Sequence, residues 1–326
     1  MPIQQAGIGK LASPSLATAV ADAGGLGMVS GIASAPPEYV ARILDGIRRS
    51  TSGAFGANFI VAGARDDASG KLDPDFAKIV ETAASRARVV EYFYDTPDPE
   101  LVEMAHAGGA LVSWQLGSSE EAIAAERAGV DLIVAQGTEA GGHVRGKVGL
   151  HALLGEVLPS VRVPVLAAGG IGSGRAMAAA LAAGASGVRV GTRFVAAEEA
   201  KTHPAYVEAL VAAEARDTVL TEAFSANWPN APHRVLRSCV EAVERFRGEY
   251  VAETVQPWAP DVRIRIRPRD SFVADQTTTG DLTAIPLWAG ESVDGVKGIQ
   301  PAGQIVQEIA SEATALLRSW GHLTTD

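Results

Sequence analysis

Residues 131–137, DLIVAQG, 163–170, VPVLAAGG, and 187–194, GVRVGTRF, carry apolar runs with little polar alternation. A strand that is apolar on both faces is buried on both faces, as in a parallel sheet covered by helices. Each run is followed by a helix-like stretch: LHALLGEVL near 150, GRAMAAALAAGA from 174 and AYVEALVAA from 205. The alternation extends back to the start. PIQQAG, LGMVSG, FGANFIV, VVEYFYD and LVSWQLG each precede a helical pattern, the first of them with Ser13 as N-cap, Pro14 at the first helical position and Gly24 at the end. Eight such units within about two hundred residues predict an α/β fold, a (β/α)8 TIM barrel rather than an open doubly wound sheet. GGIGSG at 169–174 lacks the G-x-G-x-x-G spacing and comes seventh in the series, which argues against a dinucleotide fingerprint.

After about residue 215 the rhythm stops. TVLTEAF, VLRSCVEAVERF and the alternating RIRIRPR suggest a smaller C-terminal insertion or lid, and QIVQEIASEATALLRSW reads as a closing helix. The expected organisation is a barrel over 1–215 plus 300–326, with 216–299 lying over the catalytic face.

The 326 residues are 47% hydrophobic with 35 glycines, which suits a tightly turned globular chain. A net charge of −10 argues against a nucleic-acid partner, because such binding needs a basic face to displace counterions. Cys239 is the single cysteine, so neither an intrachain disulfide nor a cysteine-rich metal site can form, and no metal is called for. MPIQQAGIGK has no basic stretch leading an apolar core, and AMAAALAAGA is broken by glycine well short of a membrane span. A cytoplasmic protein without a membrane partner is the expectation, with a homo-oligomer left open.

In a barrel of this kind the chemistry gathers just after each strand. Gly169, Gly170 and Gly172 follow strand seven, with Ala168 at its end, and Gly191 and Thr192 follow strand eight. These are the loops in which backbone N–H groups commonly hold a phosphate. Asn58, Gln115 and Gln136, with Gly137 beside it, place side-chain amides at the ends of strands three, five and six. Three amides around one mouth suit a polar, uncharged ligand edge such as an isoalloxazine ring, which backbone at Gln5, Ala6 and Gly7 would meet from strand one. His143, behind Gly141 and Gly142 in TEAGGH, stands after strand six, where an imidazole suits proton transfer near neutral pH. His151 reads as structural, and Glu139 as either a partner of the site or a plain loop carboxylate. Trp114, Trp228 and Trp288 are pocket walls or core.

QAG near the start, ADAGGLGMVSG, FGANF, AQGTEAGGH, VPVLAAGGIGSGRAMAAALAAGASGVRVGTRF and the late LWAGESV resemble the nitronate monooxygenase family, formerly 2-nitropropane dioxygenases. The resemblance runs from Pro2 to about Ile309. It implies FMN on a TIM barrel, His143 as the catalytic residue, and Gly141 and Gly142 letting its loop pass close to the flavin. The implied substrates are a small molecule and O2: alkyl nitronates or nitroalkanes oxidised to carbonyl compounds and nitrite. Three departures from the family pattern stand out. The chain begins almost directly on strand one, QAGIG stands where many members carry proline and methionine after QA, and AGES replaces the commoner AGQ, which puts Glu291 near the substrate mouth.

The resembled family also includes flavin-dependent enoyl-acyl-carrier-protein reductases, so NAD(P)H-dependent reduction of an enoyl or keto thioester is the second reading. Arg263, Arg265, Arg267 and Arg269 would then meet a nucleotide or CoA phosphate, as APHRVLR at 231–237 would meet an anionic tail. The simpler reading of the arginines is a solvated edge strand kept from aggregating by charge. A flavin-binding redox sensor is the third.

Overall fold

The computed structural model of the protein describes residues 1–66 and 68–320. Eight parallel strands form the barrel: Ile3–Gln5, Gly27–Val29, Phe55–Ile60, Val89–Phe93, Leu111–Leu116, Leu132–Gln136, Val165–Ala168 and Gly187–Val190. Neighbours in sequence are neighbours in space, and the first strand pairs with the eighth, Gln5 opposite Val190. Between strands one and two the cylinder is closed by a single bridge, Gln4 to Leu26, flanked by Gln5 N to Leu26 O at 3.0 Å and Leu26 N to Ile3 O at 2.9 Å.

The helices begin where local chemistry dictates. Ser13, Asp73, Asp98, Ser118 and Ser173 each accept a backbone N–H from the first turn of the helix they precede. Pro14, Pro74 and Pro99 occupy first helical positions, where a missing N–H costs nothing. The last helix, Ala302–Trp320, packs on helices Gly174–Ala182 and Pro14–Asp22. Gly174 permits the close crossing, since a Cβ there would sit 2.4 Å from that of Glu312. Residues 321–326 of the expected closing segment lie outside the described residues. No helix among the described residues is long and apolar enough to cross a membrane.

The 216–299 stretch holds two small sheets. In one, Thr218–Thr221 pairs antiparallel with His233–Leu236, which pairs in turn with Gly142–His143 from the loop after barrel strand six. In the other, Ala252–Gln256 lies between Ala259–Ile266 and Thr279–Gly280. Arg263 and Arg265 are exposed on the outer strand, with Arg265 reaching Glu253 at 3.3 Å and lying over the Tyr250 ring. That arrangement matches a charged edge strand.

Inside the barrel, one level is polar. Glu91, fully buried, accepts Gln4 Nε2 at 2.8 Å, Asn58 Nδ2 at 2.9 Å, Ser113 Oγ at 3.4 Å and Arg189 Nη1 at 2.5 Å. Lone charges in a barrel interior would be prohibitively costly; paired and hydrogen-bonded, these two are tolerated.

Candidate active site

A cavity of about 690 Å³ opens at the C-terminal ends of the strands, a size common for small-molecule sites. Ala6, Gly7, Asn58, Gln115 and Gln136 line it from strands one, three, five and six. Ala168, Gly169, Gly170, Gly191 and Thr192 line it from strands seven and eight. Gly141, Gly142, His143 and Trp288 complete the expected set.

Four expected residues stand outside the lining. Gln5 turns into the seam, where its Oε1 accepts Met28 N at 2.9 Å. Gly137 is pressed against Glu139 and the Leu150 backbone, and Gly172 against the Ser292 carbonyl. Glu291 turns to Arg234, 3.2 Å away, so its charge is paired. Trp114 is core: fully buried, it donates to the Asp95 carbonyl and packs 5.1 Å from the Tyr92 ring. Both carboxylate oxygens of Glu139 accept Leu150 N, so this residue caps the helix Leu150–Val157. His151 is exposed on that helix.

The three amides do unequal work. Gln136 Nε2 donates to the His143 carbonyl at 2.9 Å and so steadies the loop. Asn58 commits its NH2 to Glu91. Gln115 Oε1 is buried without a partner. A buried acceptor left unpaired costs about 1–3 kcal/mol, and this one lines the cavity, within reach of a donor placed there. Arg189, which sequence patterning hid within an apolar strand, also lines the cavity; its Nε and Nη2 have no hydrogen-bond partner among the described residues.

His143 is fixed from several sides. Its backbone pairs with His233, and Val144 N donates to the Pro232 carbonyl at 2.8 Å. Its ring lies 4.1 Å from that of Trp228, 5.3 Å from Trp288, 5.6 Å from His233 and 5.7 Å from Tyr94. Tyr94 holds φ at +78°, a left-handed conformation costly for a side chain of this size. His143 Nε2 meets Ser271 Oγ at 3.1 Å, while Nδ1 is buried without a partner. Burial, reinforced by the neighbouring His233 and only partly offset by the Ala231 carbonyl, lowers the ring's pKa to about 3. The imidazole is therefore neutral at physiological pH. Burial also lowers the pKa of His233, so the pair presents two uncharged rings.

A family model described as nitronate monooxygenase matches residues 1–312. The chain belongs to the nitronate monooxygenase family. Probable nitronate monooxygenases of Staphylococcus aureus strains Newman and USA300 are 27% identical over 97% of this chain and 95% of theirs. Among solved structures, FabK from Thermotoga maritima is 30% identical with a TM-score of 0.78, covering 99% of this chain and 95% of its own. A nitroalkane oxidase from Streptomyces ansochromogenes is 28% identical with a TM-score of 0.76, covering 98% and 97%.

The protein is thus an oxidoreductase of the nitronate monooxygenase family acting on small molecules. Within that family framework, the parts that sequence patterning missed are Arg189, Glu91, Tyr94, Asn227 and Ser271. Glu91 and Arg189 were the more accessible of these, since a lone charge in VVEYFYD and another in GVRVG are each anomalous in a buried strand.

Proposed function

We propose that this enzyme binds FMN and oxidises alkyl nitronates or nitroalkanes with O2 to carbonyl compounds and nitrite, residues 216–299 serving as a lid on the barrel. The residues fit the cofactor. Gly169 and Gly170, at φ of +108° and +68°, bend the backbone after strand seven into a cradle that side chains would strain, and after strand eight Gly191 leads into Thr192, the first residue of the short helix Thr192–Val195. These would hold the phosphate. Gln115 Oε1 offers an unpaired acceptor, and Arg189 two further donors, for the polar edge of the ring. Held there, FMN would supply the electron transfer between substrate and O2 that this oxidation needs.

The observation that carries the reading is the place of His143 at the cavity wall, its ring packed beside two indoles. For a neutral nitroalkane, His143 takes the proton on the carbon beside the nitro group. The negative charge left on the substrate then faces the new imidazolium in a site shielded from water, where such a pair attracts strongly. For a nitronate that step is already complete, and His143 only orients the anion. Trp228 and Trp288 exclude water and leave room for an alkyl chain.

The test is anaerobic flavin absorbance on mixing with nitroethane, ethyl nitronate, NADH or NADPH. Bleaching by the nitro compounds alone is expected. Bleaching by either pyridine nucleotide alone would transfer the enzyme to thioester reduction.

A further inference from the structure

His143 ends a loop with little stiffness of its own, since TEAGGH carries two adjacent glycines, Gly142 at φ of +78°. Glycine leaves the backbone more freedom than any other residue, so such a loop keeps its shape through anchors outside itself. Among the described residues two side chains donate to its backbone: Gln136 to the His143 carbonyl, and Arg234 to the Thr138 carbonyl. Arg234 is placed to close the loop. Its backbone pairs with Gly142 across the small sheet, next to the pairing of His233 with His143. Its largely buried side chain reaches back to the other end, where Nε and Nη2 donate to the Thr138 carbonyl oxygen at 2.9 and 2.8 Å. Nη1 donates to Thr218 Oγ1 at 3.1 Å, and Nη2 lies 3.2 Å from Glu291 Oε1. One residue thus holds the first and the fifth positions of the six-residue loop that ends in His143.

We propose that Arg234 is a positioning residue: by closing the TEAGGH loop it holds the His143 ring at working distance from the substrate carbon, and its two-pronged grip on the Thr138 carbonyl, rather than its ion pair with Glu291, carries that role. A planar guanidinium places two N–H groups on one oxygen while its third nitrogen serves Thr218. A lysine ammonium keeps the charge but has no such fork. The Glu291 carboxylate is exposed enough for water to screen its pairing, so little positional force comes from that side. Proton transfer depends steeply on distance. The C–H bond breaks as the N–H bond forms, the electron pair staying on the substrate carbon, and a misplacement of about 1 Å can cost about a hundredfold in rate.

The role rests on His143 being the base, so the loop and the reaction are read separately on the flavin-loaded enzyme. Hydrogen exchange followed by mass spectrometry of peptides spanning 138–144 reports the loop without substrate. Arg234→Lys should speed exchange there about tenfold or more, the worth of a hydrogen bond from a charged donor, while peptides of the barrel strands keep wild-type rates. Glu291→Gln should leave the loop as it is in wild type. With nitroethane, Arg234→Lys should lower kcat about ten- to a hundredfold with KM little changed. Ethyl nitronate, which needs no proton removed, should be turned over at close to the wild-type rate, and Glu291→Gln should match wild type on both substrates. Unchanged loop exchange in Arg234→Lys, fast exchange spreading into the barrel strands, equal losses on the two substrates, or a loss in Glu291→Gln as large as in Arg234→Lys would overturn the proposal. Faster loop exchange in Arg234→Lys alongside a wild type that does not consume nitroethane would leave Arg234 as the anchor of the loop and sink the reaction instead.

Discussion

Gly141 and Gly290 meet backbone to backbone: a Cβ on Gly141 would lie 2.4 Å from the Gly290 nitrogen, and one on Gly290 would lie 2.7 Å from the Gly141 nitrogen. The glycine before Gly142 in the histidine loop therefore lets two chain segments touch. Gly142 differs, with φ at +78° and open space around its missing Cβ. Gly141→Ala should cost about 1–3 kcal/mol by overpacking, and Gly142→Ala about 1 kcal/mol through backbone strain alone. Urea unfolding of the two variants checks the order; equal losses would contradict it.

The neutrality of His143 has a pH signature. Its folded pKa of about 3 lies below the ordinary 6.5, so below pH 6.5 the unfolded chain binds the proton that the folded chain refuses. The stability attached to this residue is whole above pH 6.5 and drains away as pH falls toward 3. His143→Gln should lose less stability than wild type between pH 7 and pH 4 in denaturant titrations. Parallel curves would show that the folded ring takes up its proton as readily as the unfolded one.

Replacing His143 by Asn should suppress turnover of neutral nitroethane by about a hundredfold or more, the usual worth of a general base. Ethyl nitronate, already deprotonated, should be hit far less. Steady-state rates on both substrates decide the matter, and equal losses would remove the base role.

The Glu91–Arg189 pair predicts non-additive energetics. Glu91→Gln leaves Arg189 buried without its counter-charge and should cost about 3–5 kcal/mol, whereas the double variant with Arg189→Gln should cost less than the sum of the single changes. Chemical denaturation of the four proteins gives the coupling; simple additivity would mean that water reaches the pair.

Much of this was legible in residue order. Apolar runs with helical intervals specify the barrel because a parallel strand reports its two-sided burial directly in composition. Gly169, Gly170, Gly191 and Asn58 were equally visible, because strand ends in this fold converge on one mouth. Ser271 and Asn227 were not. They lie 128 and 84 residues beyond His143 in a stretch with no periodicity, and only tertiary packing brings them to the ring. The pairing of Gly142–His143 with His233–Leu236 was hidden for another reason: two residues are too few to show alternation. Trp114 was ambiguous because an indole on a barrel strand fits either the core or the pocket, and only burial decides.

The narrow join between the first two strands gives the barrel an economy of its own. That join is one bridge wide, and directly above it the chain passes through Ala6 and Gly7 into the cavity wall, with Ser30 and Gly31 leaving the second strand on the other side. A molecule that touches both exits spans the weakest line of the cylinder. By linkage, whatever free energy it gains there is withdrawn from opening of the seam, and the barrel in turn withholds its affinity from any state in which the seam has parted. The site's occupant would then act as the staple of the fold, and its loss would register first as faster amide exchange at Gln5 and Leu26.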